Sequence, residues 1–226
     1  RRIETHYKDQ INKGYAAVIG EYVYSSSYDI GEGWTSANAL PCCALSKVLL
    51  NTNLYSAGPA NSITFTYTAA GNALNPREVV VRLSNTTVAQ KPMPYFNYLK
   101  DTIRNLPLSV FSGPSFLGVS INGNSSVVSD RIVVSNFSVT YPATFNFNNE
   151  KNFYFELKDN TLGNYLVITN FNSNGIAPVL YDYNNGKRII GDISTAGQVK
   201  FALDPSSDIL RRFNLMSGDV SNINLV

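Results

Sequence analysis

The sequence predicts an all-β protein, namely an antiparallel β-sandwich of the jelly-roll or galactose-binding-like kind, followed by a smaller β unit. Three observations predict this class. Apolar and polar residues alternate through many short segments, as they do in half-buried strands. Turn signals recur at roughly 8–12-residue spacing, which is typical of sandwiches and jelly rolls. Only 15% of the 226 residues are charged, while Tyr and Phe number 14 and 12, a composition that suits pleated strands joined by Asn-rich turns.

Residues 1–16 form a polar lead-in, for which the sequence allows an extended segment or one helical turn. The sandwich follows over residues 17–142. Within Ser62–Ala69 apolar side chains alternate with threonines, and Arg131–Tyr141 is the longest alternating run. Tyr95–Arg104 instead carries apolar residues at helical spacing, which allows a short helix. The predicted strands of the sandwich are Ala17–Tyr24, Ser62–Ala69, Glu78–Ser84, Phe116–Ile121 (ending at the turn signal Asn122-Gly123) and Arg131–Tyr141.

Pro142 marks the predicted boundary with the smaller β unit, which covers residues 143–226. Its strands are shorter and its turns are tighter. The triplet Asn184-Asn185-Gly186, between two alternating segments, is the strongest hairpin signal in the chain. The predicted strands of this unit are Asn152–Lys158, Tyr165–Thr169, Pro178–Tyr183, Lys187–Ile190, Val199–Leu203 and Ile209–Leu215.

Charge and hydropathy argue against two classes of partner. The formal net charge is +2, and Lys and Arg form no cluster along one face, so we expect no nucleic-acid partner. No apolar run approaches the length of a membrane-spanning helix, so we expect no transmembrane segment. No signal peptide is visible, yet the chain begins at Arg1 without Met, and we therefore expect the natural N-terminus to lie upstream.

The residues of common catalytic sites are scarce in this chain. His6 is the single histidine, and we expect it at the surface. Cys42 and Cys43 are adjacent, and because a disulfide between them would be strained, we expect them to be buried as small apolar side chains. A Cys–His nucleophile pair would need one of these thiols to meet His6 in space. Neither a Gly-x-Ser-x-Gly turn nor a phosphate-binding loop occurs, so the sequence assigns no catalytic residue and no zinc site.

Carboxylates leave two further alternatives open. A glycosidase needs only a pair of them, and Asp29 with Glu32, or Asp182 with Asp192, would supply such a pair. Calcium takes oxygen ligands, which the loops Asp29–Glu32 and Asp182–Asn185 carry, although neither loop matches an EF-hand. Asp and Asn in turns also hydrogen-bond their own backbone, and this explanation requires no metal. We therefore expect no cofactor, with a calcium ion as the alternative.

Trp34, the only tryptophan, is the candidate ligand-binding residue, together with Tyr24 and Tyr28. If these aromatic side chains are exposed, they form a platform on which a sugar ring can stack. If Trp34 is buried, it anchors the core of the sandwich instead. We expect burial, because tryptophan is highly buried on average in folded proteins.

Several segments of the chain resemble proteins of Bacteroidetes. The acidic, aromatic segment Glu21–Trp34 resembles a surface-protein motif that leads through Ser-Gly-x-x-Trp into a β-sandwich, although Thr35–Asn38 replaces the Trp-Phe-Gly-Glu expected after it. Tyr165–Asn170, Pro178–Tyr183 and Ile190–Ile193 resemble the β region of gingipain-type cysteine peptidases of the type IX secretion sortase kind. In that family the β region precedes the peptidase domain, and the catalytic His and Cys lie downstream of the β region.

The resemblance implies a non-catalytic module of an exported protein that is cell-surface, outer membrane-associated or extracellular. Its implied partner is a downstream peptidase domain of the same chain, which would make the parent protein a cysteine peptidase, or another surface protein. The aromatic cluster around Trp34 keeps a carbohydrate-binding module, with a glycan as its partner, as an alternative. The paired carboxylates keep a glycosidase as a second alternative.

Overall fold

The computed structural model consists almost entirely of strands and turns, so the all-β prediction is confirmed. The residues that the structure describes are 1–14, 31–158, 160–207 and 210–222. The chain divides into two compact units. The first unit is Arg2–Pro142, and the second unit is Ala143–Val226 together with Arg1.

The first unit contains ten described strands and one 3-10 turn, Leu108–Val110. The strands are β1 (Arg2–His6), β2 (Gln10–Asn12), β3 (Gly33–Thr35), β4 (Leu45–Leu50), β5 (Ser62–Gly71), β6 (Glu78–Leu83), β7 (Thr86–Pro92), β8 (Tyr98–Pro107), β9 (Phe116–Asn124) and β10 (Ile132–Thr140). They form two four-stranded antiparallel sheets, with the orders β1-β10-β5-β8 and β4-β9-β6-β7. The strands β2 and β3 form a separate two-stranded ribbon.

Each sheet of the first unit has a buried face. In β5 the side chains of Ile63, Phe65 and Tyr67 are buried and alternate with threonines. Phe65 stacks on Phe137 of β10, with 5.7 Å between the ring centroids. The same alternation in β9 buries Leu117, Val119 and Ile121. Burial of each such side chain contributes about 1.5–3 kcal/mol, and this burial holds the sheets together as a sandwich.

The second unit contains seven described strands and a 3-10 turn, Val220–Asn222. The strands are β11 (Asn146–Glu150), β12 (Asn152–Lys158), β13 (Asn164–Phe171), β14 (Val179–Asp182), β15 (Lys187–Ile190), β16 (Gln198–Leu203) and β17 (Leu210–Met216). The sheet orders are β11-β13-β16 and β12-β17-β14-β15, and β11 runs parallel to β13. The predicted hairpin is confirmed, because β14 pairs with β15 and Gly186 in their turn has a φ of +63°.

Phenylalanine rings dominate the core of the second unit. Phe147 is buried and stacks on Phe153, with the ring centroids 3.8 Å apart. Phe155 stacks on the buried Phe213 at 5.3 Å. Aliphatic side chains from β13, β14, β16 and β17 complete the core; these are Leu166, Ile168, Leu180, Val199, Leu203 and Leu215.

Two segments of the first unit differ from their predicted structure. The opening residues contain β1 and β2, and β1 pairs with β10 from Arg2↔Thr140 to His6↔Asn136. Only Thr5 of β1 is buried, so the alternation that would reveal this edge strand is missing from the sequence. The short helix that the spacing of Tyr95–Arg104 allowed does not form, because β8 begins at Tyr98 and pairs with β5. Pairing with a neighbouring strand here overrides the local helical spacing.

Two local signals were also misleading. Asn122 and Gly123 do not form a turn; they lie in β9 opposite Val80 and Val79 of β6. Cys42 and Cys43 are exposed free thiols, which corrects the expectation that they are buried. The Cys43 N–H donates to the Leu40 carbonyl at 3.0 Å, so the two cysteines lie in a surface turn. The predicted strand Ala17–Tyr24 lies outside the described residues.

Candidate functional site

The β2–β3 ribbon is anchored by buried polar groups. Ser36, directly after β3, accepts a hydrogen bond from the Val134 N–H through its Oγ at 3.1 Å, and its own N–H donates to the Val134 carbonyl at 2.8 Å. Thr35 and Asn12 are buried, and Asn12 Nδ2 donates to the Gly31 carbonyl at 2.9 Å. Unpaired polar groups are costly when buried, so the two Ser36–Val134 bonds fix the ribbon against β10, and the Asn12–Gly31 bond ties β2 to the segment before β3.

Trp34 faces solvent from this ribbon. Trp34 is 55% exposed, and Ile11, which lies directly opposite it on β2, is 58% exposed. Successive side chains of a strand point to opposite faces, so the burial of Thr35 turns Trp34 outward. The expectation of a buried Trp34 is therefore wrong. Trp34 and Ile11 together form the Trp34 surface, whereas Tyr24 and Tyr28 lie outside the described residues.

Ile11 is a residue of this surface that sequence reasoning missed. It belongs to the polar opening segment, and its cross-strand partner Trp34 lies far along the chain. The only signal in the sequence is a single isoleucine between Gln10 and Asn12. Two strands that are joined by such a long connection carry no hairpin turn signal, so their pairing could not be predicted from the sequence.

The histidine and the cysteines lie in different elements of the first unit. His6 is in β1, with its Nε2 3.5 Å from Glu4 Oε2, and both side chains are exposed. In the turn that holds Cys42 and Cys43, a hydrogen bond between the two thiols raises the pKa of Cys43. A raised pKa keeps the nucleophilic thiolate scarce at neutral pH.

Of the four carboxylates considered for glycoside hydrolysis, Asp182 has a structural role and Asp192 lies at the surface. Asp182 forms a buried ion pair with Arg211 and accepts hydrogen bonds from Asn185 N–H at 3.2 Å and Nδ2 at 2.9 Å. Burial alone would raise the pKa of Asp182, but the bonds from Arg211 and Asn185 lower it below its ordinary value. An ionised Asp182 is unsuited to act as a proton donor. Asp192 is exposed, and Asp29 lies outside the described residues.

The proposed calcium loop at Asp182–Asn185 uses its carboxylate within the fold. Both Asp182 oxygens accept hydrogen bonds from protein donors. Among the described residues, no three His, Cys, Asp or Glu side chains converge as metal ligands would. In the same part of the chain, no helix has the length and apolar character that crossing a membrane requires.

A second buried ion pair joins three connections of the first unit. Arg77 donates to both carboxylate oxygens of Asp130, from Nε at 2.7 Å and from Nη2 at 2.6 Å. Its remaining donors reach the carbonyls of Ala73, Met93 and Tyr95. These partners lie in the β5–β6, β7–β8 and β9–β10 connections. Bidentate Arg–carboxylate pairing adds geometric specificity to its energy, so this cluster is structural.

Comparison with known proteins yields no family model and no curated protein that matches the chain. Among solved structures, the crystal structure of dimeric latent PorU from Porphyromonas gingivalis matches with a TM-score of 0.57 and 10% identity. The match covers 96% of this chain and 20% of PorU. The chain therefore spans about a fifth of the length of PorU.

Carbohydrate-binding modules match with lower scores. The CBM36-1 domain of a multidomain xylanase from the hindgut metagenome of Trinervitermes trinervoides has a TM-score of 0.37 and 11% identity, and the match covers 64% of this chain and all of that domain. A CBM36 in complex with calcium and xylotriose has a TM-score of 0.35 and 13% identity, with 62% and 99% covered. What the comparisons establish is a fold that this chain shares with one part of PorU.

Proposed function

We propose that the chain is a non-catalytic β module of a larger exported protein, in which it supports or orients a peptidase domain that follows it. The observation that carries this proposal is the PorU match, which covers nearly the whole of this chain but only 20% of PorU. An accessory module would correspond to one part of a longer protein in this way. The resemblance of Tyr165–Asn170 and Pro178–Tyr183 to the β region of gingipain-type peptidases supports the same arrangement.

Each unit is held by a core and by a buried Arg–Asp pair, which suits a supporting role. The side chains of Arg77 and Asp130 are 0% and 1% exposed, and those of Arg211 and Asp182 are 1% and 0% exposed. Breaking such a pair would leave a buried charge uncompensated, so the loops that it joins keep one arrangement. The proposal puts the parent protein at the cell surface or outer membrane, with the peptidase domain or another surface protein as the partner.

The complete reading frame that contains this chain tests the module proposal. We expect it to encode an export signal ahead of Arg1 and a cysteine peptidase domain after Val226. A reading frame that encodes no further domain would contradict the proposal.

A measurement on the parent protein then tests the supporting role itself. We expect the peptidase domain expressed alone to be less thermally stable and less active than the same domain within the parent protein. The parent carrying Tyr98→Ala, a change at an exposed side chain, serves as the control and should match the unaltered parent. Equal stability and activity of the isolated domain would rule out a supporting role.

We propose glycan binding at the Trp34 surface as a second candidate function. The observation that favours it is the exposure of Trp34 on an anchored ribbon, with the exposed Ile11 beside it. The apolar C–H face of a sugar ring packs on an aromatic face, and the indole N–H remains available as a hydrogen-bond donor. An exposed aromatic side chain on a fixed strand is also preorganised, which reduces the entropy lost on binding.

The single tryptophan makes this second candidate directly measurable. We expect xylohexaose, cellohexaose or mannohexaose to change the intrinsic fluorescence, and we expect Trp34→Ala to abolish the binding heat in calorimetry. Tyr98→Ala, which removes an aromatic side chain that is 48% exposed on β8, is the matched control and should bind normally. Binding heat that survives Trp34→Ala would exclude this surface.

A further inference from the structure

The outer face of the sheet β12-β17-β14-β15 in the second unit carries three tyrosines and two arginines. The inward side chains of these strands form the phenylalanine core, so alternate residues point outward. Tyr154 and Tyr183 are 53% and 57% exposed. Arg188 and Arg212 are also exposed, and Tyr181 is half-buried. These five residues are called the tyrosine–arginine face below.

One row of this face crosses all four strands. Tyr154 of β12 lies opposite Asn214 of β17, and Asn214 lies opposite Tyr181 of β14. Tyr181 lies opposite Arg188 of β15. Neighbouring strands are about 4.8 Å apart, so two phenol rings and a guanidinium share a single line across the sheet. Tyrosine and arginine are among the side chains most enriched at binding hot spots, so this composition favours an interaction surface.

The two guanidiniums of the face have no counterion among the described residues. Neither Arg188 nor Arg212 takes part there in an ion pair or in a side-chain hydrogen bond. Glu156 lies opposite Arg212 in the strand pairing, but its carboxylate accepts a hydrogen bond from the Tyr154 hydroxyl at 3.0 Å. The excess of positive charge on this face therefore favours a partner that carries carboxylates.

The last described turn of the chain lies at one corner of the face. Asn152, two residues before Tyr154 on β12, is exposed on the same side of the sheet. Its side chain exchanges two hydrogen bonds with the Asn222 side chain, at 2.6 and 2.8 Å. Asn222 also donates to the Ser217 carbonyl at 3.2 Å. A domain after Val226, where the proposed function puts the peptidase, would thus be joined to the second unit beside this face.

We propose that the tyrosine–arginine face docks the domain that follows this chain, through an acidic patch on that domain. This inference rests on the proposed function, because it identifies where the supported domain contacts its support. Carboxylates of the patch pair with Arg188 and Arg212. Apolar side chains around those carboxylates pack on the tyrosine rings.

The size of the face suits a partner that is joined to it. Four strands and the length of Asn152–Lys158 give the face an area of about 300 Å², from the usual strand spacing and rise per residue. An interface between separate proteins usually buries about 800 Å² on each partner. A domain in the same chain reaches the face at a high effective concentration, so a smaller contact is sufficient.

Other occupants fit the face less well. A second copy of the chain, related by a twofold axis, would bring together two surfaces with the same excess of positive charge. A neutral glycan would leave both guanidiniums without a counterion. The outer face of the sheet β11-β13-β16 also exposes an aromatic side chain, Tyr165, but its cation Lys200 already donates to the Thr195 hydroxyl at 2.6 Å.

Hydroxyl-radical footprinting of the parent protein and of this chain alone tests the docking. The oxidation rates of Tyr154 and Tyr183, measured by mass spectrometry, should be about tenfold lower in the parent, which corresponds to a docking equilibrium constant of about ten. Tyr165, which is 65% exposed on the other sheet, is the internal control. Its oxidation rate should be the same in both proteins.

A double variant of the parent protein tests the charge requirement. Arg188→Gln/Arg212→Gln keeps two polar side chains and removes both charges, and the loss of two exposed ion pairs should weaken docking about tenfold. The oxidation rates of the two tyrosines should then rise to about half of those in the isolated chain. The control Arg82→Gln/Arg104→Gln removes the same charge from exposed arginines of the first unit and should keep the full protection.

The remaining outcomes overturn the proposal in separable ways. Equal oxidation of Tyr154 in the parent and in the isolated chain overturns the docking and leaves the module proposal intact, whereas a parent without a following domain overturns both. Protection that survives the double variant overturns the acidic patch. Protection of the isolated chain that grows with its concentration assigns the face to a second copy. Equal protection of Tyr165 and Tyr154 in the parent overturns docking at this particular face.

Discussion

The charged side chain of Arg77 is fully buried in the first unit. One carboxylate and three backbone carbonyls receive its donors. No water is available to replace them, because the side chains of Arg77 and Asp130 are 0% and 1% exposed. The attraction between the two charges therefore matters less for stability than the cost of leaving one of them buried without its partner.

Asp130→Ala should lower the free energy of unfolding by about 3–5 kcal/mol, because it leaves the Arg77 guanidinium buried without its counterion. Urea denaturation measures this change. The double variant Arg77→Met/Asp130→Leu should recover part of the loss, since both charges are then removed. Asp204→Ala, which breaks the exposed pair with Lys187, should leave the unfolding free energy nearly unchanged. Equal effects of Asp130→Ala and Asp204→Ala would contradict this account.

The Asp219 carboxylate makes the stability of the second unit depend on pH. Hydrogen bonds from the Ser221 hydroxyl at 2.8 Å and the Ser221 N–H at 3.1 Å, together with Lys151 at 3.1 Å, lower its pKa to about 2 from an ordinary 3.8. The folded state therefore binds this proton less readily than the unfolded chain does. The resulting stabilisation is complete above about pH 4 and disappears as the pH falls to about 2.

Asp219→Asn should destabilise the second unit near neutral pH and have a progressively smaller effect as the pH falls from about 4 to about 2. Urea denaturation of both proteins across this range measures the difference. The asparagine keeps a hydrogen-bonding side chain of similar size, so the change isolates the charge. A difference between the two proteins that stays constant with pH would show that the pKa of Asp219 is not lowered by folding.

At the scale of elements, β5 ends where another segment of backbone approaches it closely. A Cβ at Gly71 would lie 1.8 Å from the Tyr95 carbonyl oxygen and 2.1 Å from Arg77 Nη1. Neither neighbour is free to move, because Arg77 also holds Asp130. This close approach explains why the strand ends in a glycine.

Gly71→Ala should destabilise the first unit by about 1–3 kcal/mol or more, as overpacking of a rigid site does. Thermal unfolding measures the loss. Gly113→Ala is the matched control, because a Cβ at Gly113 meets nothing within 4 Å and its φ is not in the left-handed region. We expect the control to leave the melting temperature unchanged. Similar melting temperatures for both variants would contradict the close approach.

The sequence predicts central strands and tight hairpins well, because both depend on local pattern. β5 and β12 alternate clearly, and the turn at Asn184-Asn185-Gly186 has its own residue signature. Edge strands such as β1 and β8 contain one buried residue between them, Thr5, so they carry little alternation of buried and exposed positions. Their structure comes from pairing with β10 and β5, which no short window of sequence contains.

The candidate site was predictable only in part for a similar reason. The sequence singled out Trp34, but its exposure follows from the pairing of β2 with β3 and from the anchoring of Ser36 on Val134. Site properties that depend on contacts between residues distant in the sequence can be identified only from the folded structure.

At the scale of the whole molecule, two units with separate cores predict two separable responses to mutation. Phe147→Ala should destabilise the second unit by about 3–5 kcal/mol, as removal of a buried ring does. Hydrogen exchange followed by mass spectrometry should show faster exchange in peptides from residues 143–226 and little change in those from 2–142. Tyr165→Ala, at a side chain that is 65% exposed, should change neither. Faster exchange throughout the chain would mean that the units unfold as one.

The pairing of Asn122 and Gly123 within β9 has a consequence for the chemical ageing of the protein. Asn-Gly bonds deamidate when the glycine nitrogen can swing onto the asparagine side chain, which demands a loose backbone. Pairing with β6 holds the backbone of Asn122 and Gly123 in an extended conformation and prevents this movement. In the second unit, Asn185 is held by two hydrogen bonds to Asp182. Asn174 makes one longer bond, to Asp219 at 3.3 Å, and the glycine that follows it has open space around it. Spontaneous isoaspartate should therefore accumulate first at Asn174, while Asn122 stays intact.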